Sequence, residues 1–178
     1  MEKGGKVKLI KLIPQSVRAA KLAAEAHSGQ TDLVGDPYIY HLKRVARMTG
    51  SSDEATVAWL HDIIEDTPIT SADLKAHGFK PRVVEAVEAI THLKGQNYDD
   101  YMDQVGRNPL AVTVKRYDLL DHVNHKAKGI YGQPDWEAPP VMQGHPKLPI
   151  YEKFLAYLKL VTIIGYVPVP QNVDLVPV

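Results

Sequence analysis

The chain has 178 residues, of which 44% are hydrophobic and 24% charged, and its 21 basic residues balance 21 acidic ones. This is the composition of one globular domain, and a net charge of zero provides no basic field for a nucleic-acid polymer or an anionic membrane. The lack of cysteine excludes disulfide frameworks, thiolate zinc sites and cysteine nucleophiles. We therefore expect no nucleic-acid partner, no membrane association and a cytoplasmic location.

Residues 1–15 are interpreted as an N-terminal extension. They carry the lysines of a secretory leader, but Lys8 and Lys11 interrupt the apolar run and no small-residue cleavage site follows. The main domain is expected to cover 16–164. It contains no apolar run of about eighteen residues, so the sequence predicts no membrane-spanning helix.

Between 16 and 164 the apolar residues recur at helical spacing, and capping residues, glycines and prolines mark the expected ends. Helices are predicted over 16–28, 38–48, 52–66, 70–77, 81–90, 98–102, 110–124 and 150–164. A long loop rich in proline and glycine is expected at about 125–149, and an extended tail at 165–178. The predicted fold class is therefore all-α, a compact helical bundle with irregular ends.

The segment HDIIED, residues 61–66, carries the clearest chemical pattern. In one continuous helix of about 3.6 residues per turn, His61 lies over Glu65 and Asp62 lies over Asp66. The four polar side chains then form two rows on one face, opposite the apolar side that packs into the bundle. Such a face is typical of a cleft or a metal site.

Two distant residues, His41 and Asp118, can be brought to this face on neighbouring helices. The resulting donor set is His41, His61, Asp62 and Asp118. Two imidazoles and two carboxylates suit Mn²⁺, Fe²⁺, Zn²⁺, Mg²⁺ or Co²⁺ and are unsuited to soft metals, and we favour one Mn²⁺ ion. Open coordination positions would make the site catalytic in type. The alternative to a metal site is a solvent-exposed helix end at which these side chains form salt bridges.

The pattern resembles the HD-domain metal-dependent phosphohydrolases, and within them the (p)ppGpp hydrolases of the RelA/SpoT type and the small alarmone hydrolases. The resemblance covers about residues 23–124. It rests on the segments AEAHSGQ, GDPYIYH, VAWLHDIIEDT, EAITHLK and VKRYD. It implies a compact helical HD-domain bundle that removes pyrophosphate from the 3′ side of a guanosine nucleotide.

The resemblance also implies a role for each site residue. The metal ligands would be His41, His61, Asp62 and Asp118. Glu65 and Asp66 would position the attacking water and take its proton, in agreement with the general chemistry of such sites.

Contacts to the substrate are expected from six residues. An anionic substrate beside several carboxylates needs cations, for which Lys43, Arg44 and Lys115 are the candidates. Lys115 is favoured because it precedes Asp118 by three residues on the same predicted helix face. Tyr38, Thr91 and His122 are expected to contribute further contacts.

The chain departs from the family pattern on the substrate side. The family usually has an Arg-Lys pair before the Gly-x-Pro-Tyr turn, where this chain has Asp32 and Leu33. The family's Asn one turn after the last metal ligand is His122 here, and the Pro after the first ligand histidine is Leu42. The residues expected to perform the chemistry are thus retained, while those expected to select the substrate differ.

The leading hypothesis is a metal-dependent phosphohydrolase acting on a phosphorylated nucleotide, (p)ppGpp or a close relative. One alternative keeps this chemistry and changes the substrate to another nucleoside phosphate or NADPH. The alternative from another class is a non-catalytic metal or nucleotide sensor. The sequence is also compatible with a homo-oligomer.

Overall fold

The computed structural model describes residues 13–124 and 143–169, and the regular structure within these ranges is helical. The helices are α1 (Gln15–Ala26), α2 (Ile39–Arg47), α3 (Ser52–Leu60), α4 (Ile63–Asp66), α5 (Ser71–Ala76), α6 (Pro81–Ile90), α7 (Tyr98–Gly106), α8 (Pro109–Asn124) and α9 (Leu148–Ile164). Pairing of strand type within the described ranges is limited to an isolated bridge between Thr31 and Pro37. The prediction of an all-α fold is confirmed.

Two helices, α3 and α8, lie at the centre of the bundle. Helix α3 packs against α1, α2, α6 and α8, and α8 packs against α2, α3, α6, α7 and α9. The side chains of Val57, Leu60, Val114 and Leu119 on these two helices are completely buried. Residues on or directly after α3 and α8 are therefore held in the densely packed part of the molecule.

Both central helices begin at a side-chain cap. The Ser51 hydroxyl accepts the backbone N–H of Glu54 at 3.3 Å, and the Glu54 carboxylate accepts the backbone N–H of Ser51 at 3.1 Å. At the start of α8, the Asn108 side-chain oxygen accepts the N–H groups of Leu110 and Ala111, each at 3.1 Å. Such caps contribute about 1 kcal/mol each, and they fix where α3 and α8 begin.

The continuous helix predicted over 52–66 is wrong, because the structure divides it into α3 and α4. His61 and Asp62 form a turn between the two, with Asp62 at φ −99° and ψ 0°. The His61 ring contacts the carbonyl oxygen of Ala58 through Nδ1 at 2.8 Å, so a side chain engages a carbonyl at the end of α3. The two polar rows expected on one helix face are therefore not continuous, since His61 is buried and Glu65 is exposed.

Two predicted boundaries also shift. Helix α1 begins at Gln15 after Pro14, with no side-chain cap, one residue before the predicted start at 16. Helix α9 begins at Leu148, so the end of the loop predicted over 125–149 is helical. Pro149 is tolerated there because the first turn of a helix does not use its missing N–H.

Parts of three predicted segments lie outside the described residues: most of the N-terminal extension, residues 125–142 of the loop, and residues 170–178 of the tail. The described start of the tail leaves α9 at Gly165, with φ +87°, and buries Val169 in the core. The division into extension, domain and tail stays a prediction. None of the described helices is long and apolar enough to cross a membrane.

Candidate metal centre

Three of the predicted metal ligands meet in the interior of the bundle. His41 comes from α2, His61 follows α3, and Asp118 lies on α8. One side-chain donor atom from each lies within 4.8 Å of the others. The Nε2 atoms of His41 and His61 are 3.4 Å apart and lie 3.2 Å and 3.5 Å from Oδ1 of Asp118. All three residues are at most 2% exposed, so they are shielded from competing water.

The second ring nitrogen of each histidine is occupied. Nδ1 of His61 lies 2.8 Å from the carbonyl oxygen of Ala58, and Nδ1 of His41 lies 2.8 Å from the carboxylate of Asp121. Both partners are acceptors, so each Nδ1 carries the proton and donates it. The lone pair of a neutral imidazole is then on Nε2, which faces the other donors.

The buried oxygen of Asp118 provides a test of whether these residues fit a metal ion. Oδ1 is buried and accepts no hydrogen bond from the described residues, although imidazole nitrogens lie 3.2–3.5 Å away. Separations of about 3.0–3.5 Å are those expected between two ligands that bind one ion at about 2.0–2.2 Å. Nitrogen and carboxylate donors at this spacing fit a divalent cation. Imidazole nitrogens and carboxylate oxygens of this kind suit several divalent metals.

Asp62, the fourth predicted ligand, lies beside this group. Its Oδ2 is 2.9 Å from Nε2 of His61 and 3.8 Å from Nε2 of His41. The same oxygen accepts a hydrogen bond of 2.6 Å from the Tyr38 hydroxyl. Tyr38, expected to bind substrate, therefore orients a carboxylate of the metal centre. Ligation by Asp62 stays a prediction.

Charge around the group favours a cation between the imidazoles. Burial lowers the pKa of His61, but Asp62 and Asp118 outweigh it, and the pKa lies well above its ordinary value. Burial likewise lowers the pKa of His41, yet Asp118 and Asp121 raise it overall. The carboxylates thus stabilise positive charge at the position that the two Nε2 atoms face.

Lys115 and His122 both face Asp118. The Lys115 ammonium lies 2.7 Å from Oδ2 of Asp118, and Nε2 of His122 lies 3.2 Å from Oδ1. Burial alone lowers the pKa of Lys115, but the Asp118 carboxylate raises it well above the usual range. Burial alone raises the pKa of Asp118, but Lys115 and then His122 lower it well below the usual range. Asp118 is therefore ionised, as a metal ligand must be, and Lys115 is engaged within the site.

The two predicted water-activating carboxylates lie at the rim. Glu65 Oε2 accepts the backbone N–H of His92 at 3.0 Å, which fixes its direction. Burial raises the pKa of Asp66, and Asp62 and Glu65 raise it further. Both residues line a cleft of about 380 Å³ that is also lined by Asp62 and Asp118. Of the three grouped residues, Asp118 therefore lines the same cleft as Glu65 and Asp66, although the break between α3 and α4 removes the continuous helix face.

A second cleft of about 330 Å³ adjoins the first and is lined by Asp32, Leu33 and Arg44, among others. Tyr38, His122, Lys147 and Tyr151 line both clefts. The two spaces therefore adjoin each other, with His41 lining the second cleft and Asp118 the first.

The structure places the three remaining predicted substrate contacts, Arg44, Lys43 and Thr91, in three different environments. Arg44 forms a two-point ion pair with Asp121 at 2.8 Å and 3.0 Å and lies 3.7 Å from Asp32. Lys43 is exposed and lines neither cleft. Thr91 is buried, donates its hydroxyl to Val87 O and also lines neither of these two clefts.

The sequence analysis did not predict two residues that lie at this site, Asp121 and Lys147. Asp121 follows Asp118 by three residues, so helical spacing to a predicted ligand was the available indication. Lys147 lies in the segment predicted as a loop, and no motif marked it. Within the described residues its ammonium group has no carboxylate partner, in contrast to Lys115 and Arg44.

Replacing Asp121 by alanine is expected to weaken metal binding about 10- to 100-fold, because the carboxylate that orients a ligand imidazole is lost. Titration calorimetry with Mn²⁺ measures this directly. Asp99→Ala, which removes a carboxylate at the start of α7 that pairs with Lys153 of α9 and lines neither cleft, is the matched control. Equal affinities for the two variants would contradict the role assigned to Asp121.

Curated proteins similar to this chain are consistently enzymes of (p)ppGpp metabolism. A guanosine-3′,5′-bis(diphosphate) 3′-pyrophosphohydrolase of Vibrio cholerae is 36% identical over 91 residues, which is 49% of this chain and 13% of the relative. One of the same name from Aquifex aeolicus is 32% identical over 132 residues, 65% of this chain and 19% of the relative. The bifunctional (p)ppGpp synthase/hydrolase SpoT of Escherichia coli is 36% identical over 95 residues, 51% of this chain and 13% of the relative. The chain thus spans less than a fifth of the length of these relatives.

The fold has a solved counterpart in a metazoan ortholog of SpoT described as hydrolysing ppGpp. It superimposes with a TM-score of 0.61 at 19% identity, covering 92% of this chain and 90% of the other. This likeness establishes the fold. No family model matches the chain. The curated relatives together with the shared helical fold bear out the resemblance that the motifs indicated: the chain is similar to (p)ppGpp hydrolases over 49–65% of its length and shares a helical fold with one of them.

Proposed function

We propose that this chain is a divalent-metal-dependent phosphohydrolase that removes pyrophosphate from the 3′ position of (p)ppGpp or a closely related nucleotide. The observation that carries the proposal is the convergence of His41, His61 and Asp118 from three separate segments of the chain beside two rim carboxylates. Similarity also supports the proposal, because curated relatives of this chain are named for this activity.

The proposed reaction needs a cation, a base and a place for the phosphates. A divalent ion held by His41, His61 and Asp118, with Asp62 beside them, would polarise a phosphate oxygen and acidify water; Mn²⁺ is favoured. Water attacks the phosphorus bound to the 3′ oxygen, and the bond between that phosphorus and the 3′ oxygen breaks. Pyrophosphate keeps the oxygen of the water, and the 3′ oxygen takes up one proton to become a hydroxyl, so the proton that the water loses is returned. Glu65 and Asp66 receive the proton that the attacking water loses.

The neighbouring charges set requirements for the substrate. Glu65, Asp66 and Asp62 repel phosphates, and Lys115 already neutralises Asp118. Lys147 lines both clefts, so it is the cation that we place on the phosphates. In the second cleft the charge of Arg44 is balanced by Asp121 and Asp32, which favours the nucleoside part of the substrate over a further phosphate there.

Replacing Lys147 by alanine is expected to raise KM about 10-fold or more with little change in kcat, because a hydrogen bond between charged groups contributes about 1.5–3 kcal/mol. Lys43→Ala removes an exposed lysine that lines neither cleft and is expected to leave KM unchanged. Steady-state kinetics of the two variants shows which of the two lysines contacts the phosphates. A larger effect at Lys43 would place the phosphates elsewhere.

The experiment for the proposed function is a substrate panel with purified, Mn²⁺-loaded protein and Glu65→Gln as the blank. The panel contains ppGpp, pppGpp, nucleoside mono- and triphosphates, and NADPH. Release of pyrophosphate from ppGpp or pppGpp is the expected result. If no member of the panel is hydrolysed, the proposal fails.

Asp32, Leu33 and His122, which replace the family's usual residues, favour a second candidate with the same chemistry on another nucleotide. Hydrolysis of one other panel member, with ppGpp untouched, would support it. A non-catalytic sensor would instead show ligand-dependent thermal stabilisation without turnover, equal in Glu65→Gln.

A further inference from the structure

Helix α9 has apolar residues on two faces, and the bundle covers one of them. Phe154, Tyr157 and Leu158 are completely buried against the core. On another face, Leu155, Leu160 and Ile163 line a groove of about 690 Å³ that Leu120 of α8 completes. Ile163 is 72% exposed and its neighbour Ile164 is 61% exposed. A helix that is apolar around much of its circumference is typically covered on more than one side.

Two of the three charged residues that line this groove form a self-complementary pair; the third, Arg116, donates a hydrogen bond to the Thr162 hydroxyl at 3.4 Å. Glu152 and Lys159 line the groove and lie seven residues apart, two helical turns along one face of α9. The midpoint between them falls between Leu155 and Ala156. If a second α9 packs antiparallel about a two-fold axis at that midpoint, Glu152 of each copy faces Lys159 of the other. Ala156, at the centre, has a side chain small enough to allow two helices to approach closely.

We propose that the groove between α8 and α9 is the contact surface of a homodimer in which the two α9 helices pack antiparallel. A two-fold interface presents the same patch from both copies, so that patch must carry both members of each complementary pair. The groove does so with Glu152 and Lys159, and its apolar residues supply the buried centre. The groove residues line neither catalytic cleft, so the proposal is independent of the proposed function.

The test is a charge exchange followed by light scattering coupled to size-exclusion chromatography across a concentration series. Glu152→Lys places lysine against lysine at both ends of the interface, and Lys159→Glu places glutamate against glutamate. Each is expected to raise the dimer dissociation constant at least about 10-fold, because opposed like charges are costly at an interface. The double variant E152K/K159E re-creates both pairs and is expected to restore dimerisation.

Two further variants make the result decisive. Glu85→Lys, an exposed charge reversal on α6 away from the groove, is expected to leave the dimer intact. Ile163→Glu is expected to give a monomer with an unchanged helical circular-dichroism spectrum. A wild-type protein that is monomeric throughout overturns the proposal and points to coverage by another segment of its own chain. A dimer that the double variant fails to restore overturns the antiparallel arrangement.

Discussion

Asp118→Asn is expected to abolish stoichiometric metal binding and to reduce phosphate-ester hydrolysis about 10³-fold or more. Oδ1 of Asp118 is the oxygen donor within 3.5 Å of both ligand imidazoles. An amide oxygen lacks the negative charge that holds a divalent cation, and such an ion contributes several kcal/mol to transition-state stabilisation. Metal content by mass spectrometry and kcat/KM on the active panel substrate are the measurements.

The control must separate metal loss from loss of fold, because Asp118 also holds Lys115 at 2.7 Å. Removing one partner of a buried ion pair costs about 3–5 kcal/mol of stability. Lys115→Met breaks the same pair and keeps the carboxylate, so we expect it to lose stability and still bind metal. If Lys115→Met and Asp118→Asn lose metal equally, Asp118 acts through the fold and is not a ligand.

Glu65→Gln is expected to retain the metal and lose about 10²- to 10⁴-fold in kcat, the usual contribution of a general base. The glutamine side chain can still accept the backbone N–H of His92, so the rim geometry is preserved while the proton acceptor is lost. Single-turnover kinetics with saturating substrate, together with Mn²⁺ titration, measure both quantities.

The matched control is Glu85→Gln, which changes an exposed carboxylate on α6 by the same atoms. It is expected to leave kcat and metal affinity unaltered. Asp66→Asn shows which carboxylate takes the proton: burial, Asp62 and Glu65 raise the pKa of Asp66, which makes it a stronger base than an ordinary aspartate when it is ionised. Full activity in both Glu65→Gln and Asp66→Asn would remove the rim carboxylates from the mechanism.

The all-α architecture and the choice of the His61–Asp66 segment as a candidate site were predictable because they depend on local patterns. Helical spacing of apolar residues specifies which face of α6 is buried, whatever the partner. The segment from His61 to Asp66 combines imidazole and carboxylate groups at a density that an ordinary surface helix has no reason to show. These features depend on residues that are close together in the sequence, so they could be predicted without knowing the long-range contacts.

Other properties were settled by contacts between distant segments. The helix break at His61 and Asp62 arises where a ligand side chain engages the Ala58 carbonyl, and periodicity alone does not reveal it. The roles of the cations depend on their partners: Lys115 is held by Asp118, whereas Lys147 lines both clefts with no carboxylate partner among the described residues. A sequence lists the charges but not which of them are neutralised.

The sequence by itself thus determined the chemistry available to this protein, namely helices bearing two imidazoles and several carboxylates at ligand spacing. Only the tertiary structure decided the arrangement: Asp121 orients His41, Tyr38 directs Asp62, and Arg44 is balanced by acidic neighbours. The physical reason is the separation along the chain of the residues that decide each property. Helix formation and side-chain type depend on residues within a turn or two, whereas ligand orientation and charge balance depend on atoms a few ångströms apart that belong to distant parts of the chain.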